Sequence, residues 1–365
     1  MKQLTFLFSL LLLISVSSCD DDDSSSVDYD VPTAYDFENV NYSGQLERLS
    51  MMTEITTYNK TANTAGTTLD ANLLAARYAN TADATWNNTY DDSKQLRSKT
   101  LSSVQGDFDA AFAAIAAASQ STLAAADGQA GVATSMDGTK QYLLNENGLE
   151  YTQIIEKGLM GACFYYQATA VYFGDDRMNV DNETVEPGEG TEMEHHWDEA
   201  FGYLAVPRAF PTDTDGAAFW GKYCNDRDAV LGTNAEIMNG FLKGRAAISN
   251  NDIPSRDEAI GEVRTAWERV VAGTAIHYLN STVSNFEDNA LKAHALSEAV
   301  AFIYSLQFNP EKRATNETIN GWLTRLVGST DFAAMNLYDT TIADLEAVNN
   351  EIADTFGMSA VKSVL

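Results

Sequence analysis

The chain has few cysteines, few prolines and few basic residues, and each shortage narrows the possible folds and functions. Only three of its 365 residues are cysteines and six are prolines. A small disulfide-dense fold needs many more cysteines. Lys and Arg number 23 against 52 Asp and Glu, which gives a formal net charge of −29. Because nucleic acid is bound by basic surfaces, we expect no nucleic-acid partner.

Long apolar runs are also missing, except at the N-terminus. In residues 1–18, MKQLTFLFSLLLLISVSS, Lys2 precedes an apolar run that ends in small residues just before Cys19. The run is too short to cross a membrane as a helix, and its order is that of a secretory signal peptide. A cysteine at the cleavage point predicts a bacterial lipoprotein whose lipid is attached to Cys19. The alternative is an ordinary secretory signal followed by a chance cysteine.

The residues after the signal are strongly acidic. Residues 19–30 read CDDDDSSSVDYD and carry no periodic apolar positions, so they are predicted to be a solvated tether. The four aspartates resemble the acidic export tag of Bacteroidetes surface lipoproteins. We therefore expect an outer-membrane lipoprotein, facing the cell surface or the periplasm, that reaches the membrane through the lipid on Cys19.

From residue 31 onward the apolar spacing is helical almost throughout, and strand-like alternation is nearly absent. The predicted helices cover residues 46–59, 69–78, 108–126, 148–173, 191–206, 217–248 with a break near Gly232, 256–280, 285–308, 316–327 and 340–356. Stretches rich in glycine and acid are predicted to be loops at 127–139, 174–190 and 211–216. The sequence therefore predicts an all-α domain over 31–365. It is either one helical bundle or two packed up-and-down bundles, at about 31–206 and 207–365.

The best candidate for a binding site is the segment GTEMEHHWDEAFGY. On a helix, Glu192, His196 and Glu199 share one face, and His195 lies beside them. Imidazole and carboxylate groups suit zinc, iron or manganese, and metal sites in bundles use Glu-x-x-His pairs. These four residues are therefore predicted to bind a ligand, with a divalent metal or iron as the candidate cofactor. The alternative is a buried polar network that only joins helices.

Further metal ligands are expected from other helices. His294 and Glu298 lie four residues apart on a helix that is otherwise apolar and small, so they need polar partners if they face inward. They are predicted to act as metal ligands together with His196 and Glu199. Glu150 and Glu156, on the predicted helix 148–173, are expected to line such a site as well.

Cys163 lies in an apolar helical stretch and is expected to be a buried free thiol. Pairing of Cys163 with Cys224 stays open at this point, because the chain is long enough to fold without a disulfide.

The signatures of several enzyme classes are missing. The sequence has no Gly-x-Ser-x-Gly, no phosphate loop and no His-Glu-x-x-His, and we assign no catalytic residue. This favours a binding protein that captures iron, another cation or an iron-bearing ligand and delivers it to an uptake-system partner. Two alternatives stay open. One is a metal-dependent, peptidase-like hydrolase with Glu199 or Glu192 as general base. The other is a structural or partner-binding lipoprotein.

Several segments together resemble a known family. They are VPTAYDFENVNYSGQLERL, NGLEYTQIIEKGLMGACFYYQA, MEHHWDEAFGYLAVP, FWGKY and LSEAVAFIYSLQFNP. They are similar to the Bacteroidetes lipoproteins of the domain-of-unknown-function family 4856, and the likeness runs from about Val31 to the C-terminus.

That family looks distantly similar to the imelysin-like proteins, which are all-helical, exported and often linked to iron uptake. Imelysin-like proteins carry a Gly-x-His-x-x-Glu motif in a cleft between two bundles. His196 and Glu199 match the His and Glu of that motif, whereas Glu194 occupies the glycine position. The resemblance implies a fold and a compartment more firmly than an activity.

Overall fold

The computed structural model describes residues 29–365 and confirms the predicted all-α class. The predicted signal peptide, Cys19 and most of the predicted tether lie outside these residues. Within residues 29–365 there are twelve α-helices. They are α1 (Ser43–Thr61), α2 (Ala71–Ala79), α3 (Gln105–Ala118), α4 (Tyr151–Leu159), α5 (Asp175–Met178), α6 (Glu192–Gly202), α7 (Phe219–Leu231), α8 (Thr233–Ser249), α9 (Ile253–Ser284), α10 (Asn289–Ser305), α11 (Asn316–Val327) and α12 (Ile342–Thr355). None of these helices is long and apolar enough to cross a membrane.

A small β-hairpin interrupts the helical pattern where the sequence predicted a loop. Strand β1 (Gly131–Thr134) pairs antiparallel with β2 (Gln141–Leu144). Gly138 in the connecting turn has a φ of 73°, which a glycine adopts without steric cost. The prediction of an unbroken loop over 127–139 is therefore wrong at β1, and the hairpin lies against α10.

Long helices in the second half of the chain form the centre of the molecule. Helix α9 packs against α8, α10 and α12, and α10 packs against α4. The side chains of Trp197, Trp220 and Trp267 are fully buried among them. A contiguous cluster of buried apolar side chains extends from Tyr35 to Leu365. The division into 31–206 and 207–365 stays a prediction.

The predicted helix 148–173 is α-helical only in its first part. After α4 the backbone forms two successive π-helical segments, Met160–Tyr165 and Gln167–Tyr172. Such wide turns are rare in proteins and occur frequently at functional sites. The wide turns change which side chains of residues 160–172 face α6 (Glu192–Gly202). Tyr172 is one of the side chains that face α6.

The predicted break between α7 and α8 is confirmed at Gly232. This residue has a φ of 67°, and the helix ends there because its backbone turns into the left-handed region. The next helix begins at once with Thr233 and leads to Gly244, which lies against Trp197 of α6.

Replacing Gly244 with alanine should destabilise the fold. The new Cβ would lie 2.1 Å from two ring carbons of the fully buried Trp197, and overpacking of this kind costs about 1–3 kcal/mol. We expect Gly244→Ala to lower the free energy of unfolding by that amount in urea denaturation. Gly261→Ala is the matched control, since no atom lies within 4 Å of its Cβ. It should leave stability unchanged or raise it by up to about 1 kcal/mol.

Both described cysteines, Cys163 and Cys224, are free and buried. Burial raises the pKa of each thiol to about 12, so the reactive thiolate is scarce at neutral pH. With Cys19 replaced by serine, we expect the native protein not to react with a thiol reagent such as DTNB at pH 8. Two thiols per chain should react once the protein is unfolded in urea. Fast labelling of the native protein would contradict the buried placement.

Candidate functional site

The site segment begins with a well-defined helix start. The Thr191 hydroxyl accepts from the backbone N–H of Glu194, and a Glu194 carboxylate oxygen accepts from the backbone N–H of Thr191 at 3.0 Å. This reciprocal capping box fixes where α6 begins and therefore which residues share a face. It also gives Glu194 a structural role.

A buried ion cluster holds α6 against α8. The guanidinium of Arg245, only 1% exposed, donates to Glu194 and, at 3.0 Å, to Asp198. The Tyr35 hydroxyl donates to the same Asp198 oxygen at 2.6 Å, and the Tyr35 ring stacks on Phe201 with 3.7 Å between centroids. The N-terminal segment, α6 and α8 therefore meet at one guanidinium, on the face of α6 away from the predicted ligands.

His196 and Glu199 form a close pair, as the helical spacing predicted. His196 Nδ1 lies 3.2 Å from Glu199 Oε2, and the histidine is only 7% exposed. On the other side of the ring, the Arg177 guanidinium lies 3.3 Å from Nε2. A neutral ring with its proton on Nδ1 satisfies both contacts, since Nδ1 then donates to Glu199 and Nε2 accepts from Arg177.

Glu199 is held by side chains from two other elements and by His196 of its own helix. Gln45 of α1 donates to Oε1 at 2.9 Å, and the hydroxyl of Tyr172, from the second π-helical segment, donates at 3.1 Å. Burial opposes the ionised form, but the hydrogen bonds from His196, Gln45 and Tyr172 and the nearby His195 outweigh it. Together they lower the pKa of Glu199 to about 2.

His195 points outward from the buried pair into an open cavity. Its side chain is 30% exposed, its Nδ1 lies 2.9 Å from Glu189 Oε2, and its Nε2 lies 4.0 Å from Glu199 Oε2. The cavity has a volume of about 350 Å³ and a strongly acidic lining. Its lining residues are Asp181, Thr184, Glu186, Glu189, Gly190, Thr191, Glu192 and His195. The four predicted residues therefore lie together, with His195 and Glu192 at the cavity and His196 and Glu199 behind it.

The donor atoms match a metal in chemistry, but they do not converge on one point. Within residues 29–365, no three or more His, Cys, Asp or Glu side chains are arranged to hold a metal ion. Glu192 Oε1 is 3.8 Å from His196 Nε2, and its side chain is 55% exposed. The Glu189 side chain is 48% exposed. A metal at His195 would therefore require Glu192 to rotate inward and Glu189, which already contacts His195 Nδ1, to shift so that the metal fits between them.

His294 and Glu298 belong to a second cluster. His294 Nδ1 lies 2.7 Å from Glu150, His294 Nε2 lies 3.9 Å from Glu298, and the ring stacks on Tyr142 of β2. Lys157 adds a buried ammonium 3.7 Å from Glu298. Glu150 of this cluster lies just before α4, whereas Tyr172, which contacts Glu199, is the last residue of the second π-helical segment. The 22 residues from 150 to 172 span on the order of 30 Å of helix, so the four predicted metal ligands do not form one site.

Glu150 and Glu156, which were predicted to line the metal site, have different partners. Glu150 is fully buried and is the direct partner of His294. Glu156 pairs with the ammonium of Lys157 at 3.0 Å and does not contact His294. The His294 cluster therefore contains both charge signs. Its cation, Lys157, competes with any metal for Glu298.

Comparison with known proteins gives one match. The model of a family described as a domain of unknown function (DUF4856) matches residues 32–359. The chain belongs to this family. Neither a search of curated proteins nor a search of solved structures gave a match. Membership in DUF4856 confirms the resemblance to that family, while the Bacteroidetes origin and the imelysin likeness stay predictions. It brings no assigned activity for the His195–Glu199 segment.

Sequence reasoning missed several residues of the site. Gln45, Tyr172 and Arg177 all contact the His196–Glu199 pair, yet none has a recognisable motif around it. Residues 174–190, predicted as a loop between helices, supply Arg177 from the short α5 and most of the acidic cavity lining. Their high acid content was the available signal, and it predicts a loop without indicating a binding site.

The lowered pKa of Glu199 predicts a specific pH dependence. A carboxyl whose pKa is lowered from 4.5 to about 2 on folding stabilises the fold fully above pH 4.5, and this contribution is lost as the pH falls towards 2. Between pH 7 and pH 3 the loss amounts to about 2 kcal/mol.

We expect Glu199→Gln to reduce the difference in unfolding free energy between pH 7 and pH 3 by that amount, as measured by urea denaturation. Glu192→Gln, an exposed carboxyl on the same helix, is the matched control. If the two variants lost stability equally on acidification, the hydrogen bonds to Glu199 would not be responsible.

Proposed function

We propose that this protein is an exported, lipid-anchored binding protein that captures a cation, with iron or a divalent metal as the candidate. One observation carries the proposal: the acidic cavity in which His195 is joined by Glu189 and Glu192, directly beside the His196–Glu199 pair. Binding of this cargo would precede its transfer to an uptake partner.

The charge of the cavity favours a cation. Asp181, Glu186, Glu189 and Glu192 line a concave space whose only histidine is His195. Acidic walls of low dielectric concentrate cations near the opening and raise their rate of capture. Because imidazole nitrogen joins carboxylate oxygen there, the donor set suits iron, zinc or manganese better than calcium or magnesium.

The proposed binding step is a movement of exposed carboxylates around a fixed histidine. His195 lies on a helix whose start is fixed by the capping box, while Glu189 and Glu192 are about half exposed. Rotation of two such side chains costs rotamer entropy but breaks no packing in the core. His196 keeps its hydrogen bonds to Glu199 and Arg177 and so supports the helix face from behind.

The anchor and location rest on the N-terminal sequence. The signal-like residues 1–18, Cys19 and the acidic residues after it are typical of an outer-membrane lipoprotein. In this proposal the lipid on Cys19 holds the domain at the membrane, since the net charge of −29 repels anionic lipid headgroups.

A purely structural role for the cluster is the second candidate. It is favoured by the contacts of His196, whose two ring nitrogens already have partners in Glu199 and Arg177. Such satisfied polar networks hold helices in a unique arrangement without binding any ligand.

Metal titration separates the two candidates. We expect the purified protein, stripped with chelator, to bind Fe²⁺, Zn²⁺ or Mn²⁺ saturably in isothermal titration calorimetry. His195→Ala and Glu189→Gln should each weaken binding about tenfold or more, because each removes a ligand. Glu317→Gln removes one exposed negative charge on α11 and is the control for net charge.

Two further variants locate the site. His294→Ala should leave metal affinity unchanged, because that histidine belongs to the distant Glu150 cluster. His196→Ala should weaken binding less than His195→Ala and should lower stability more. Absence of saturable binding by all three metals would reject cation capture and leave the structural role.

A further inference from the structure

Four basic side chains without acidic partners lie around the His196–Glu199 pair. They are Arg48, Lys94, Lys99 and Arg177. Within residues 29–365, none of them has a carboxylate oxygen within 4.0 Å. By contrast, Arg97, Lys243 and Arg269 each reach a carboxylate. Half of the 22 basic residues in this part of the chain lack such a partner, and these four differ from the others because they lie close to one another.

The interior member of this group is Arg48 on α1. It is 5% exposed, and its guanidinium donates to the backbone carbonyls of Gln95 and Gly44 at 3.0 and 2.9 Å. Lys94 approaches the same glycine: a Cβ on Gly44 would lie 3.3 Å from Lys94 Cε and 3.4 Å from Arg48 Nη1. Two cations therefore share one region near the start of a helix, where the helix dipole disfavours positive charge.

Lys99 brings a third charge close to the site residues. Its ammonium lies 3.4 Å from the Tyr172 hydroxyl and 5.6 Å from the centre of that ring. Burial lowers the pKa of Lys99, and the positive charge of Arg48 lowers it further. The carboxylate of Glu199, whose negative charge acts on Lys99, already has hydrogen bonds with His196, Gln45 and Tyr172.

Arg177 completes the group from the side of His196. The rings of Tyr172 and His196 are neighbours, with 6.1 Å between their centroids. Lys99 contacts the hydroxyl of Tyr172, and Arg177 contacts the ring of His196. Arg177 is exposed and Lys99 is partly exposed, so both can be reached from solvent. A guanidinium binds a carboxylate through two parallel hydrogen bonds, and an ammonium adds a point charge.

We propose that Lys99 and Arg177 bind the carboxylates of a small multicarboxylate ligand, with Arg48 as a buried charge behind them. The anion would neutralise cations that now repel one another, which supplies the favourable energy of binding. The adjacent acidic cavity and this basic group would then hold the two parts of one cargo, a cation carried by a carboxylate chelator. Only this description of the cargo rests on the function proposed above, because the anion site is formed by separate residues.

Citrate serves as the tricarboxylate probe. In isothermal titration calorimetry at low salt, we expect the metal-free protein to bind citrate saturably, and added salt to weaken that binding. Lys99→Gln and Arg177→Gln should each weaken citrate binding about tenfold, the typical loss for one charge-assisted hydrogen bond. Lys140→Gln, on the exposed hairpin turn, is the matched control and should bind citrate like the unaltered protein. Because Arg177 is exposed, its variant tests the site even if Lys99→Gln fails to fold.

Parallel titrations with phosphate and with Fe³⁺ citrate identify the ligand class. Tighter binding of citrate than of phosphate supports the carboxylate assignment, and tighter binding of Fe³⁺ citrate than of citrate supports the chelate cargo. Citrate binding that is absent, or unchanged in both variants, overturns the anion site, and phosphate binding equal to that of citrate overturns the carboxylate assignment. If citrate binds but no metal does, the cation-capture function fails while the anion site stands.

Discussion

The arrangement of the candidate site depends on the buried ion cluster of Arg245, Glu194 and Asp198. Removing three charged groups from water is expensive, and the cost is offset only when their hydrogen bonds are satisfied in one geometry. Here the guanidinium reaches both carboxylates, and Tyr35 donates to Asp198 Oδ1. Asp198 Oδ2 is buried without a partner among residues 29–365, and burial raises the pKa of this carboxyl to about 7. Because α6, α8 and the N-terminal segment each contribute a member, the cluster fixes the rotation of α6 and thereby decides which face carries His195 and His196.

Charge is distributed unevenly around that helix face. The loop before α6 supplies carboxylates to the cavity at His195, whereas α1 and residues 94–99 supply cations behind Glu199. The His196–Glu199 pair lies between the two groups and has a hydrogen-bond partner on each side. In a chain with net charge −29, this local group of positive charges is the basis for proposing a cargo with both signs of charge.

Helical periodicity predicted most of the fold, including the break at Gly232, because an amphipathic pattern requires only local spacing to be recognised. It failed in several places. The predicted helix 108–126 ends at Ala118, and the predicted loop 174–190 contains α5. The β-hairpin has a short Asp137-Gly138 turn signal that the long acidic stretch obscured, and it is stable only because α10 lies beneath it. No local sequence pattern predicted the two π-helical segments. Their wide turns are compatible with this sequence only through packing, as at Gly161, where a Cβ would lie 2.2 Å from the Ser305 hydroxyl oxygen.

The sequence established the all-α class and the grouping of Glu192, His195, His196 and Glu199 on one helix, because helix spacing places residues three and four apart on the same side. The signal-like N-terminus and the excess of acidic over basic residues can also be seen in the sequence, because they depend only on residue order and composition. Tertiary structure decided that His294 and Glu298 lie in a separate cluster and that Tyr172, Gln45 and Arg177 surround Glu199. Such contacts join residues up to 154 positions apart, and no local pattern encodes them, since they follow from how the helices pack.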